Sequence, residues 1–287
     1  MTRVETRPEA FRADCDQARA GGKRVGLVPT MGALHSGHLS LVERARKQGC
    51  DHIALTVFVN PLQFGPHEDF ERYPRTLESD LRACREAGVD TVFAPLREDM
   101  YAEGFQTHVE VEQLTLPLEG HHRPGHFRGV TTVVAKLFGL AGPCVAVFGR
   151  KDYQQFRVLA RMATDLMLPI EVVGAPIVRE PDGLALSSRN RYLDSNARAR
   201  ALGIVRGLRA AWAAHAEGIA DAGRLRALAL AEVERTFDSV DYVAIADPDT
   251  LAPIEGAMGP RAVLAVAARV AGTRLIDNVV LGEDPEP

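Results

Sequence analysis

The chain has 287 residues, 46% of them hydrophobic, with 34 Lys and Arg against 38 Asp and Glu for a formal charge of −4. That length exceeds what one hydrophobic core usually covers, so two domains are expected, and the charge balance provides no basic field for a nucleic acid. Cys15, Cys50, Cys84 and Cys144 form no CxxC pair, the opening MTRVETRPEA has no apolar leader, and no apolar run approaches the roughly 18 residues of a membrane span, so the expectation is a soluble, cytoplasmic protein with reduced thiols and no membrane partner.

Taken in order, Arg24 to Pro29 is an apolar run of strand length. The stretch Met31-Gly32-Ala33-Leu34-His35-Ser36-Gly37-His38 then leads into a helix whose Leu41, Val42 and Ala45 share one face. Strand, glycine loop and helix together present unpaired N–H groups and the positive end of a dipole, which suits an anion. His35 and His38 therefore read as phosphate contacts, with a metal pair or a plain helix cap as the alternatives. A metal site would want a third close ligand and no flanking glycines.

Further strands are expected at His52 to Val59, Thr91 to Ala94, Cys144 to Phe148 and Ile170 to Val173, with helices near 37–48, 76–88, 129–140 and 152–167. Continuous rather than alternating apolar runs fit a parallel sheet covered on both faces, so the fold class is α/β, a Rossmann-like doubly wound sheet. Ligands of such sheets bind beyond the carboxyl ends of the strands. After Asn190 the texture changes to Ala- and Leu-rich helices at 195–216 and 221–237. Strands at Val240 to Ile245, Arg261 to Ala267 and Arg274 to Leu281 follow. The division expected is an N-terminal domain over 1–186 and a smaller C-terminal α+β domain over 187–287.

Three further groups follow strand ends. Asn60-Pro61-Leu62-Gln63 reads equally as a turn and as a functional loop, and the Gln63 amide suits a polar, uncharged specificity contact. In Gly149-Arg150-Lys151-Asp152-Tyr153-Gln154-Gln155 a lysine would ordinarily be solvated, but its place after a strand and a glycine favours phosphate. Asp152 could bind ribose hydroxyls or cap the helix. Leu186-Ser187-Ser188-Arg189-Asn190 reads as a flexible loop able to wrap phosphate, or as a hydroxyl-rich helix start with an exposed arginine. The histidine-rich stretch from Glu119 to Gly129 reads as a loop near the site, with His126 unassigned. Val133 and Val134 are either pocket wall or helical core. Asp69 and Asp80 could help hold Mg2+ through water but read first as surface charge. No P-loop, GxGxxG, HExxH or GxSxG motif occurs.

PTMGALHSGH resembles the HxGH motif of the nucleotidyltransferase superfamily that includes class I aminoacyl-tRNA synthetases, and in this longer form the pantothenate synthetase family. NPLQFG, GRKDYQQF and SSRNRYL follow in family-like order and spacing, and the likeness runs from Pro29 to Asn278. It implies an ATP-dependent ligase that joins pantoate to β-alanine through a pantoyl adenylate, releasing AMP and pyrophosphate. It also implies Mg2+ with the nucleotide, a homodimer, and a C-terminal domain acting as a lid. By the same likeness His35, His38, Lys151 and Arg189 are catalytic, with His38 the proton donor. Met31 to His38, Gly149 to Asp152, Val178 and Leu186 to Arg189 bind ATP. Gln63 meets pantoate and the incoming β-alanine, and Gln155 meets pantoate. Arg150 stands where an acidic residue is expected, and Leu186 replaces a methionine. A nucleotidyltransferase that keeps the nucleotide on its product is the rival enzyme, and a nucleotide-binding regulatory protein the rival of another class.

Overall fold

A computed structural model describes residues 2–66 and 68–287. Its contacts group the chain into two compact units. One runs to Leu116 and resumes at Arg123–Arg150 and Gln155–Pro176; the other gathers Pro117–His122, Lys151–Gln154 and Ile177–Pro287.

The first unit is built on strands β1 (Arg3–Glu5), β2 (Val25–Thr30), β3 (His52–Val57), β4 (Thr91–Phe93), β5 (Cys144–Gly149) and β6 (Ile170–Ala175). They pair in the order β1-β4-β3-β2-β5-β6, every pair parallel. Helices α1 (Pro8–Ala20), α2 (Ser36–Lys47), α3 (Leu77–Glu86), α4 (His126–Ala141) and α5 (Tyr153–Asp165) cover it. Successive side chains of one strand enter opposite cores, as the pleat requires. Leu27, Ala54 and Ala146 pack with Phe11, Phe138 and Leu159, while Val28, Ile53, Leu55 and Val147 pack with Leu41, Val42 and Cys84. This is the doubly wound sheet that the apolar runs predict.

β1 and α1 are among the elements that were not expected. β1 is only three residues long, and its parallel pairing with β4 carries it. In α1, Phe11, Cys15 and Ala18 form the buried stripe behind a Pro at the first helical turn, and Phe11 stacks on Phe93 with ring centroids 4.5 Å apart. The polar residues between them hide the period in the sequence.

The second unit carries α6 (Ser195–Ala201), α7 (Gly203–Ala216) and α8 (Ala222–Glu234) on an antiparallel sheet of β7 (Ser239–Ala246), β8 (Ala262–Val270) and β9 (Thr273–Leu281), ordered β7-β8-β9. The single helix expected over 195–216 breaks at Leu202, and a Cβ on Gly203 would lie 1.9 Å from Thr236 Oγ1, so the chain passes there at glycine distance. The Asp194 and Asp221 carboxylates cap α6 and α8. The core joins Leu208, Leu225, Ala229 and Val233 to Leu264, Val266 and Val279.

Candidate functional site

β2 lies between β3 and β5, so the loops leaving these three strands share the carboxyl edge of the sheet at the point where strand order reverses. The loop after β2 carries the HSGH stretch. Thr30 Oγ1 donates to Thr56 O at 2.6 Å and accepts the Gly32 N–H at 3.1 Å. Gly32 and Ala33 both take left-handed conformations, with φ of 82° and 50°. Consecutive residues of this kind turn successive N–H groups toward one point, an anion nest. The anion there is a side chain of the protein: Asp80 Oδ2 accepts from Ala33 N at 3.0 Å and Oδ1 from Leu34 N at 2.9 Å. Asp80 is 2% exposed, so the expectation of a surface charge is corrected.

α2 begins at Ser36 with His35 as its cap. The His35 N–H donates to His38 Nδ1 at 3.4 Å, and the two rings lie 4.0 Å apart between centroids. A neutral imidazole that accepts at Nδ1 carries its proton on Nε2. The first turn holds no acidic side chain to compete for the helix dipole.

The turn after β3 is more tightly built than the dipeptide Asn-Pro implies. Asn60 is fully buried; its Oδ1 accepts from Leu62 N and from Tyr101 OH at 2.8 Å, while Nδ2 donates to Gln63 Oε1 at 3.0 Å and Gly129 O at 3.1 Å. Gln63 Nε2 donates to Met31 Sδ at 3.0 Å, tying this turn to the loop after β2. A Cβ on Gly129 would fall 2.1 Å from Leu62 O, so only glycine lets α4 approach. His126 Nδ1 donates to Gln63 O at 2.8 Å, and its Nε2 accepts from Arg123 at 3.1 Å. Arg123 pairs with both Glu68 oxygens at 2.6 and 2.7 Å. Burial pushes the Glu68 carboxyl upward, but the Arg123 hydrogen bonds and charge outweigh it and hold it below the ordinary value. Val133 and Val134 are buried in the core of the same unit.

β5 ends at Gly149, and a 3-10 turn over Arg150–Asp152 follows. The Arg150 stem lies along Gly174 of β6, where a Cβ would come within 3.0 Å of it. Lys151 to Gln154 belong to the second unit, as do Pro117 to His122. Asn278 Nδ2 donates to Lys151 O at 2.9 Å, and Lys151 Nζ lies 4.0 Å from Asp152 Oδ2. Tyr153 OH donates to Pro248 O, and the buried Gln154 bridges Glu119 N and Pro117 O. Gln155 is half-buried on the first turn of α5, in the first unit. The stretch from Glu119 to Gly129 is thus not one loop: a helical turn at Glu119–His122 joins the second unit, and α4 starts at His126. There Arg274 holds both Glu119 oxygens at 2.6 and 2.7 Å and Asp241 at 2.6 Å, while Tyr242 OH donates to Glu119 at 2.8 Å.

Val178 O accepts from Leu186 N at 2.9 Å across a hairpin whose Pro181-Asp182-Gly183 tip is the turn expected. Ser187 Oγ then accepts from Arg189 N at 3.3 Å and opens a 3-10 turn over Ser188–Tyr192. The segment is hydrogen-bonded to its surroundings: the Asn190 side chain donates to Glu180 Oε1 at 2.7 Å and Ala185 O at 3.0 Å. Arg179, paired with Asp277 through two bonds, fixes the hairpin to β9.

None of the four cysteines is disulfide-bonded, and all are buried. Burial is the main cause that raises Cys15 and Cys144 to about 12 and Cys84 to about 11, which makes them poor nucleophiles. Sequence reading took Asp80 first for surface charge, gave Glu119 and Arg274 no role, and treated Arg123 and His126 only as parts of a loop.

The sequence profile described as Pantoate-beta-alanine ligase matches residues 3–280. A pantothenate synthetase of Geobacter sulfurreducens is 50% identical over 277 residues, covering 96% of each chain. The crystal structure of a pantothenate synthetase from Thermus thermophilus superposes with a TM-score of 0.90 at 48% identity, covering 96% of this chain and 98% of that one. That of a pantoate-beta-alanine ligase from Francisella tularensis, complexed with Beta-gamma ATP and β-alanine, gives a TM-score of 0.80 at 29% identity and covers both chains fully. With the profile spanning both units and the likeness holding in sequence and in fold, this chain belongs to the pantoate-beta-alanine ligase family.

Proposed function

We propose that the chain condenses pantoate with β-alanine, converting ATP to AMP and pyrophosphate through a pantoyl adenylate. The observation that carries this reading is the meeting of three loops on neighbouring strands: the His35–His38 pair after β2, the Gln63 turn after β3 and Gly149–Arg150 at the end of β5. Family membership and the nucleotide and β-alanine held by the Francisella relative support it.

A carboxylate has no good leaving group, so pantoate first attacks the α-phosphorus of ATP and pyrophosphate departs. The amine of β-alanine then attacks the adenylate carbonyl and AMP leaves. Such transfers ask the protein for positioning and charge stabilisation. The loop amides of Gly32, Ala33, Leu34 and His35 are engaged by Thr30, Asp80 and His38. Phosphate contacts from this stretch therefore fall to the first-turn amides of α2 at Ser36 and Gly37 and to the two imidazoles. His38, with its proton on Nε2, is the donor toward phosphate oxygen, and His35 stands beside it. Lys151 and Arg189 supply fixed positive charge for the α and departing phosphates, and Ser187 and Ser188 supply hydroxyl donors. Gly149, Arg150, Asp152, Val178 and Leu186 frame the nucleoside together with Met31, whose sulfur accepts from Gln63. Gln63 and Gln155 orient pantoate. Among the described residues no three His, Cys, Asp or Glu side chains gather as a metal set, so a Mg2+ would ride on the nucleotide's own oxygens, where it neutralises phosphate charge.

By the same family likeness we place the enzyme in the cytoplasm as a homodimer. Among the described residues no helix is long and apolar enough to cross a membrane. The deciding experiment supplies purified protein with MgATP and D-pantoate, with and without β-alanine, and follows pyrophosphate, AMP and pantothenate. AMP turnover that needs both acids, with pantothenate formed, is the expected result. Pyrophosphate release without AMP would assign a nucleotidyltransferase with another acceptor, and ATP binding without turnover a regulatory role.

A further inference from the structure

We infer that Asp80 is a positioning residue for the adenylate-forming step, acting through the loop that aims His35 and His38. It rests on the adenylating reading above. The carboxylate reaches from α3 into the nest after β2 and accepts two consecutive amides, at 3.0 Å from Ala33 and 2.9 Å from Leu34. The Thr76 hydroxyl lies 3.3 and 3.2 Å from its two oxygens and fixes its rotamer from the start of the same helix. The turn holds Ala33 as well as Gly32 in a left-handed conformation, which is disfavoured for alanine. The buried carboxylate compensates it by gathering both amides, because an anion accepting N–H donors binds them about twice as strongly as a neutral acceptor. One residue beyond Leu34, the His35 amide meets His38 Nδ1, and this bond decides which nitrogen of His38 carries the proton. Asp80 thus sets the backbone direction on which the tautomer and aim of His38 depend, without touching phosphate itself. The packing leaves no slack: a Cβ on Gly32 would sit 2.9 Å from Asp80 Oδ2 and 3.0 Å from Val57 Cγ1.

Asp80→Asn keeps the shape but turns an NH2 group toward one of the two amides. The expected result is a kcat for pyrophosphate release about tenfold or more lower, with the KM for pantoate within about twofold. In 15N-resolved NMR of the histidine rings, the His38 resonances should show loss of the single Nε2-protonated form. Thr76→Val, which removes only the hydroxyl beside the carboxylate, gives the same changes in weaker form and serves should the first variant not fold. Thr91→Val is the control for lost stability alone. It disturbs the buried Asp14–His52–Thr91 cluster, whose histidine and threonine open β3 and β4 at the amino ends of the strands, and should leave kcat and the His38 spectrum as they are. An Asp80→Asn enzyme with wild-type kcat and an unchanged His38 spectrum overturns the inference, as does an equal loss of kcat in Thr91→Val at matched stability. Wild-type protein that releases no pyrophosphate defeats the functional reading instead, and the His38 spectrum still decides whether Asp80 places the ring.

Discussion

Removing the His38 imidazole takes away the acceptor of the His35 amide and the donor on Nε2 together. His38→Ala is therefore expected to lower adenylate formation by about 10²-fold or more, the scale of losing one preorganised donor, while the far-ultraviolet spectrum stays native. Lys151→Ala should do the same, since its backbone anchor at Asn278 survives the substitution and only the charge is lost. Stopped-flow or end-point pyrophosphate assays on both variants check this, and near-normal turnover in either removes that residue from the chemistry. These residues were legible because glycines and strand ends mark them locally. Asp80 was not: its partners Ala33 and Leu34 lie 47 and 46 positions away. On an amphipathic helix a lone aspartate looks like solvated charge until β2 and α3 are placed. Gln154 and Gln155 show the same limit, since two identical neighbours on one helix fall to different units and only the fold separates them.

Between elements, the Glu119–Arg274 pair is the contact that fastens the turn at Glu119–His122 to β9, and the two side chains are only 9% and 15% exposed. Burial opposes the charge of Arg274, yet the Glu119 and Asp241 hydrogen bonds keep it fully protonated. Arg274→Ala leaves a buried carboxylate uncompensated and is expected to cost about 3–5 kcal/mol in urea unfolding, whereas replacing both partners with leucine should cost much less. The Glu68–Arg123 pair gives a pH signature. A carboxyl held below its unfolded value contributes stability above that value and loses it as the pH falls through the folded one. The urea midpoint of wild type should exceed that of Glu68→Gln at neutral pH, and the gap should close in acid below the ordinary glutamate value of 4.5. At this scale the central strands were readable as unbroken apolar runs, while β1 was too short to announce itself and the break at Leu202 depends on how close Gly203 comes to Thr236.

For the molecule as a whole, the order of the parallel sheet follows from βαβ units wound both ways from β2, and the helix-then-strand texture after Asn190 announces the second unit. What no texture reveals is that this unit also claims Pro117–His122 and Lys151–Gln154. Those segments are ordinary sequence between elements of the first unit, and their allegiance rests on Arg274, Tyr242, Asn278 and Pro248, all far along the chain. A fragment of residues 177–287 is accordingly expected to lack cooperative urea unfolding, because Arg274 and Asp241 remain as a partly buried pair with Glu119 missing. Adding peptides of the two absent segments in trans should restore protection of β9 amides in hydrogen exchange.

The same long reach has a consequence for a chain still on the ribosome. Glu119 and Arg274 are 155 positions apart. At synthesis rates of about 5–20 residues per second, the glutamate waits roughly 8–30 s for its arginine. The sheet that carries His35, His38 and Gln63 is complete in sequence by Ala175, but the backbone of Lys151 waits for Asn278, 127 positions further on. A nascent chain can thus hold a folded sheet while its lysine turn still lacks the partner that anchors it.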